Sequence, residues 1–332
     1  MPSISRHLLD PELLVTAESF PPQKLSDDTI EAARAIPLTA DIALAAGVAL
    51  MERIVPGPAG APDRQLLVLT PDKLAENAPC LFFIHGGGYV LGSPQSVQSW
   101  ASSIARACQC VVILPSYRLA PEARWPAPVE DLYAQLCWTH ANARTLGIDT
   151  ARIAIGGASA GGGHAARLAL HARSKAGPAI LFQLLLSPML DDRHPDNRYA
   201  GEYVWTRECD RYGWDSLLGQ KSGTAAVPAE AVPNRVQDLA NLPPAYISIG
   251  DLDLFTEACL DYARRLMSGG VSTELHVLPG GFHGFEYFAP DAGISKTALT
   301  DITRALSAAF TRWRHNLLPS GVTEAGDMQP HA

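Results

Sequence analysis

The run Ile153-Ala154-Ile155-Gly156-Gly157-Ala158-Ser159-Ala160-Gly161-Gly162-Gly163 decides how the rest of the chain is read. Its first three residues give a short apolar strand, and the stretch from 160 to 174 reads as a helix. A G-x-S-x-G at a strand-to-helix junction predicts a tight, strained turn that presents the serine hydroxyl. Glycine two positions either side of Ser159 is what such a turn needs, because larger side chains would strike neighbouring backbone. The helix that follows points its N-terminus at Ser159, where free N–H groups and the dipole favour a negatively charged oxygen. A serine that merely caps a glycine-rich turn would carry the same letters. The place of the run directly after a strand favours the first reading.

Outward from this point, short apolar runs at 66–69, 81–84, 111–114, 180–186, 245–249 and 273–277 read as further strands. Helical stretches fall near 97–108, 128–144, 256–268 and 294–314. Alternation of this kind predicts an α/β fold with a mostly parallel central sheet flanked by helices, and the continuous apolar runs fit strands covered on both faces. The alternation stops between 190 and 243, where Tyr203, Trp205, Tyr212 and Trp214 occur without an obvious strand. An insertion over the sheet edge is expected there, forming a helical cap with residues 1–50, while 51–318 form the main domain. In the N-terminal part, Ser26-Asp27-Asp28 starts a short helix that Pro37 ends. The polar residues 319–332 read as a flexible tail.

Two further loops lie at strand ends. His85-Gly86-Gly87-Gly88 follows the strand at 81–84, and an HGGG-type loop in that position supplies backbone N–H donors to an oxyanion. The same glycines are no dinucleotide fingerprint, since the next glycine is Gly92 and no acidic residue follows about 20 positions on. Gly250-Asp251-Leu252-Asp253 follows the strand at 245–249, and Gly281-Phe282-His283-Gly284 follows the one at 273–277. Serine, acid and histidine therefore occur in the order of hydrolases that use a nucleophile elbow. That order makes His283 the general base and leaves His85 as a loop anchor. Spacing alone leaves Asp251 and Asp253 both open as the acid, with Glu257 a weaker candidate inside the next helix.

The chain has 332 residues, 47% hydrophobic and 18% charged, with a formal net charge of −8. This is ordinary globular composition. Without a Lys/Arg cluster, a nucleic-acid partner has no electrostatic support, and without a run of about 18 apolar residues a membrane span is not expected. The six cysteines form no C-x-x-C pair and read as buried free thiols of a reducing compartment. With no signal peptide at the N-terminus, a cytoplasmic protein is expected.

These motifs, together with Tyr117-Arg118-Leu119-Ala120-Pro121-Glu122, Ser187-Pro188-Met189-Leu190-Asp191-Asp192-Arg193 and Asp261-Tyr262-Ala263-Arg264, resemble the hormone-sensitive-lipase family of α/β-hydrolase carboxylesterases, particularly its bacterial members. The likeness runs from about residue 81 to 288 and is vaguer in the N-terminal cap. It implies a serine esterase on an α/β-hydrolase fold, acting on small esters of short to medium acyl chain, with neither metal nor cofactor. It also implies a homodimer. By the register of 261–264 it assigns Asp253 to a triad with Ser159 and His283, and it implies Gly87, Gly88 and Ala160 as oxyanion donors. Tyr203, Trp205 and Trp214 are candidates for the substrate pocket. Two departures stand out: Ala158 replaces the Asp or Thr of many relatives, and Ser187 replaces a frequent Tyr. A relative that binds ligands without turnover would normally lack a triad member, and none is missing here. Amide or lactone hydrolysis would use the same residues.

Overall fold

Strands whose residues are apolar on both faces need cover on both sides, and the chain supplies it with helices between nearly every pair. The computed structural model describes residues 3–21, 24–38, 42–194 and 196–316, with side chains described to 311. Helices α1 (Leu14–Ser19) and α2 (Ile30–Arg34) precede strands β1 (Val48–Val55), β2 (Arg64–Pro71) and β3 (Ala78–Ile84). Next come α3 (Gln98–Cys108), β4 (Val111–Pro115), α4 (Ala127–Ala141), α5 (Ala143–Leu146), β5 (Ile148–Ala158) and α6 (Ala160–Ser174). β6 (Phe182–Leu186), α7 (Arg207–Leu218), β7 (Ala245–Gly250), α8 (Thr256–Ser268), β8 (Thr273–Leu278), α9 (Phe285–Phe288) and α10 (Gly293–Asn316) complete the order.

The strands form one eight-stranded sheet in the order β1-β2-β4-β3-β5-β6-β7-β8. Only the β1–β2 and β2–β4 pairings are antiparallel; the rest are parallel. Alternation along β3 shows how the core divides. Cys80, Phe82 and Ile84 face one apolar layer that includes residues of α4, α6 and α8, and Leu81 and Phe83 face a second that includes α3 and α10. Each such fully buried Leu or Phe contributes about 1.5–3 kcal/mol relative to exposure.

Strand β1 was not anticipated from sequence. It is an edge strand whose six inner residues are all exposed, including Leu50, Met51 and Ile54, so the burial alternation that betrays a strand is missing. The described residues of 190–243 hold α7 and two short 3₁₀ turns but no strand. The N-terminal residues Leu9, Leu13 and Ala17 pack against Tyr203, Leu252, Phe282 and Phe285. Glu202 adds a polar latch, accepting hydrogen bonds from Ser3 Oγ at 2.8 Å, the Ser5 amide at 2.8 Å, the Ile4 amide at 3.2 Å and Ser5 Oγ. No disulfide joins the six cysteines; Cys137 alone is half-buried and the others are buried. No helix among the described residues is long and apolar enough to cross a membrane. The tail expected at 319–332 lies outside the described residues.

Candidate active site

Parallel pairing brings the C-terminal ends of five strands to one edge. Ile84 pairs with Gly157, Ala158 with Leu186, Leu186 with Ser248, and Gly250 with Leu278. The loops leaving β3, β5, β7 and β8 carry the residues singled out above, as open parallel sheets arrange their chemistry.

Ser159 sits between β5 and α6 with φ 56° and ψ −123°, a conformation costing on the order of 1–3 kcal/mol that the surroundings must hold. They do so with backbone hydrogen bonds: its amide donates to Leu186 O at 2.8 Å, and its carbonyl accepts from Gly163 and Met189, both at 3.0 Å. The crowding is real. A Cβ on Gly157 would come within 2.3 Å of Gly161 backbone, and one on Gly161 within 2.0 Å of Ile84 O.

His283, in the loop after β8, has Nε2 2.9 Å from Ser159 Oγ and Nδ1 2.7 Å from Asp253 Oδ2. Asp253 follows β7, its side chain has no exposed surface, and its other oxygen accepts the Phe255 amide at 3.0 Å. The carboxylate must accept at Nδ1, so the proton belongs there and Nε2 is left to accept the serine hydroxyl. Burial alone would lower the imidazole's pKa. The charge and hydrogen bond of Asp253, aided by the nearby Glu286, outweigh it and raise the value above that of an ordinary histidine. Burial in turn pushes Glu286 up to about 7.

Asp251, the other open acid, is placed elsewhere. Its Oδ1 accepts the Gly280 amide at 2.7 Å and so ties the β7 and β8 loops together. Glu257 lies on the exposed side of α8. His85 is buried, stacked on Tyr117 at 4.4 Å, with Nδ1 2.8 Å from Gly86 O. Burial lowers its pKa to about 4, leaving it a neutral loop anchor.

The HGGG loop presses on the serine: a Cβ on Gly86 would lie 3.2 Å from Ser159 Cβ. Gly87 and Gly88 have φ of 119° and 59°, which glycine adopts without the penalty of a side chain. Among the described residues, no backbone or side-chain oxygen accepts the amides of Gly87, Gly88 or Ala160. Three free donors thus gather at the elbow and the adjoining loop.

Of the aromatic candidates, Trp205 covers this loop. A Cβ on Gly88 would meet its ring at 2.0 Å, and its indole N–H donates to Asp210 Oδ1 at 3.2 Å. Tyr203 lies beside Phe282, with its hydroxyl 2.6 Å from Ser3 Oγ. Trp214 has no exposed surface and packs on Tyr89 and Arg167, so it braces the site from within rather than lining it. The carbonyl of Ala158 abuts Gly86, where a Cβ would lie 2.9 Å from it. The Ser187 hydroxyl is buried with no hydrogen-bond partner.

Sequence reasoning missed Glu286 and the buried pair His164 and Arg167. Their signal was present: a histidine and an arginine three residues apart in the otherwise small and apolar first turns of α6. Among the described residues, no group of three or more His, Cys, Asp or Glu side chains is gathered as metal ligands would be.

Residues 81–287 match the family described as alpha/beta hydrolase fold. The carboxylesterase NlhH of Mycobacterium tuberculosis is 34% identical over 298 residues, covering 87% of this chain and 92% of the relative. The esterase LipI of the same species is 30% identical over 311 residues, covering 90% and 94%. A bacterial heroin esterase superposes with a TM-score of 0.83 at 35% identity, covering 92% of this chain and 99% of the other.

Proposed function

Since the chain belongs to the hormone-sensitive-lipase family of α/β-hydrolase carboxylesterases, we propose that it hydrolyses small carboxylic esters through Ser159, His283 and Asp253. The observation that carries this reading is the continuous relay from Ser159 Oγ to His283 Nε2 at 2.9 Å and from Nδ1 to Asp253 at 2.7 Å.

Ser159 Oγ attacks the ester carbonyl as His283 Nε2 takes its proton. Asp253 keeps the imidazole in the required tautomer and stabilises the imidazolium without being protonated. The amides of Gly87, Gly88 and Ala160 receive the oxyanion, each worth about 2.7–4 kcal/mol in the transition state. The tetrahedral adduct collapses, His283 gives its proton to the departing alkoxide, and an acyl-Ser159 remains. Water, deprotonated by the same imidazole, attacks the acyl carbon and frees the carboxylic acid and the serine.

Residues 1–50 and 190–243 act as the cap of this site. The reading extends to esters of short to medium acyl chain, with Trp205, which lies against Gly88, and Tyr203, which lies beside Phe282, as the cap residues next to the site. Ser159→Ala is expected to lower turnover of p-nitrophenyl butyrate by about 10⁴-fold or more and to abolish labelling by a fluorophosphonate. Turnover retained in a folded Ser159→Ala protein would overturn the assignment. An unreactive native protein would point instead to a ligand-binding role.

A further inference from the structure

Arg167 is a cation with 1% of its surface exposed, and among the described residues no carboxylate forms an ion pair with it. It projects from α6, two turns beyond Ser159. Its Nη2 donates to Tyr89 Oη at 2.6 Å, and Nη1 donates to His164 Nδ1 at 3.0 Å. The guanidinium lies 4.6 Å from the Tyr89 ring centre and 5.2 Å from that of Trp214. Burial keeps His164 neutral, as an acceptor for a guanidinium must be. Burying a charge this way is costly unless its surroundings hold it well; here a hydroxyl, an imidazole and two aromatic rings meet it, while Nε has no hydrogen-bond partner among the described residues.

What the guanidinium holds is informative. Tyr89 directly follows Gly88 and has φ 69°, a left-handed conformation that bulky residues adopt only when their surroundings impose it. Its hydroxyl, fixed by Arg167, donates to Met189 O at 2.9 Å, and the Met189 amide donates to Ser159 O. Gly163 leaves room for this arrangement, since a Cβ there would stand 2.5 Å from Tyr89 Oη. On the other side, Trp214 lies on α7, whose Gly213 packs directly against Gly88 O. One side chain therefore touches the residue that ends the oxyanion loop and the helix that covers it.

We propose that Arg167 is a positioning residue for ester hydrolysis, holding Tyr89 and Trp214 so that the Gly87 and Gly88 amides stay aimed at the oxygen that becomes negatively charged. This rests on the triad reading above and extends it from the serine to the support of its oxyanion loop. Arg167 touches no reacting atom. Its loss acts on the transition state through the loop and leaves the Ser159–His283–Asp253 relay intact.

The test uses Arg167→Met, Arg167→Lys and Tyr89→Phe in the full chain, with p-nitrophenyl butyrate as substrate and a trifluoromethyl ketone as mimic of the tetrahedral adduct. Removing one oxyanion donor costs about 10²–10³ in kcat, so misaiming the loop is expected to cost about 10–100-fold. KM should change less than about threefold, and the ketone's affinity should weaken in step with kcat/KM. Arg167→Lys, which keeps a donor for Tyr89, should recover part of the loss, and the acid limb of the pH profile should stay in place. Should Arg167→Met fail to fold, Tyr89→Phe removes only the hydroxyl, and kcat and ketone affinity should still fall together. A folded variant with kcat within twofold of native, a loss confined to KM, or a moved acid limb would overturn the proposal. Ser159→Ala serves as the control: if it is inactive while the Arg167 and Tyr89 variants are normal, only this inference fails, and if it is active the triad reading fails as well.

Discussion

Asp253→Asn exchanges one oxygen for an NH₂ group and thereby breaks an accounting of donors and acceptors. In the native site Oδ2 accepts His283 Nδ1–H at 2.7 Å and Oδ1 accepts the Phe255 amide at 3.0 Å, on a side chain with no exposed surface. Asparagine has one acceptor for these two donors. With its oxygen kept on Phe255, its NH₂ faces Nδ1, the proton moves to Nε2, and the imidazole cannot take the serine proton. With its oxygen turned to His283, two N–H donors meet at Phe255, at a cost of about 1–3 kcal/mol. In either orientation the imidazolium loses its ionic partner, a charge-assisted bond worth about 1.5–3 kcal/mol. About 2 kcal/mol for each effect gives about 4 kcal/mol, or about three decades in rate, and the wrong tautomer in a comparable triad costs about 10⁴ in kcat. The expected loss in kcat is therefore about 10³–10⁴-fold. Initial rates on p-nitrophenyl butyrate measure it, with circular dichroism to establish that the variant is folded. Asp251→Asn is the matched control. Among the described residues Asp251 receives the Gly280 amide and hydrogen-bonds to neither His283 nor Ser159, so its loss should cost less than about tenfold in rate. A folded Asp253→Asn protein within tenfold of native, or an Asp251→Asn protein equally impaired, would refute the reasoning.

The acid limb of kcat/KM should report His283. Because Asp253 raises its pKa above the usual histidine value, activity is full where the imidazole is neutral and is lost as pH falls through that raised value. Glu286→Gln removes a carboxyl group whose own pKa is raised to about 7, so it is only partly ionised where the imidazole titrates, and a pH–rate profile of that variant should show the limb moved slightly to lower pH; a raised limb would contradict it. Gly88→Ala would drive a methyl group into Trp205 and is expected to lower kcat by about 10²-fold or more by displacing an oxyanion donor. Trp205→Ala in the same chain should restore part of that rate if the clash is the cause, and steady-state kinetics of the single and double variants decide it.

Much of the fold and site was legible in the chain because their strictest demands are local. A strained turn at Ser159 requires glycine at 157 and 161, a loop that aims amides requires Gly87 and Gly88, and strands covered on both faces require unbroken apolar runs such as 81–84. Each demand is met within a few residues, so the residue types alone disclose it. Other features arise between segments far apart. Asp251 and Asp253 sit on the same loop, and only strand register and loop packing bring the second within 2.7 Å of His283 while the first turns to Gly280. Strand β1 escaped notice because an edge with exposed side chains carries no burial pattern. Trp205 and Trp214 are nine residues apart in one insertion, yet one covers Gly88 and the other is sealed against Arg167. Local sequence governs where the backbone can bend and which runs must be buried; which side chains then meet depends on the packing of elements distant in the chain, and that was decided only by the folded chain.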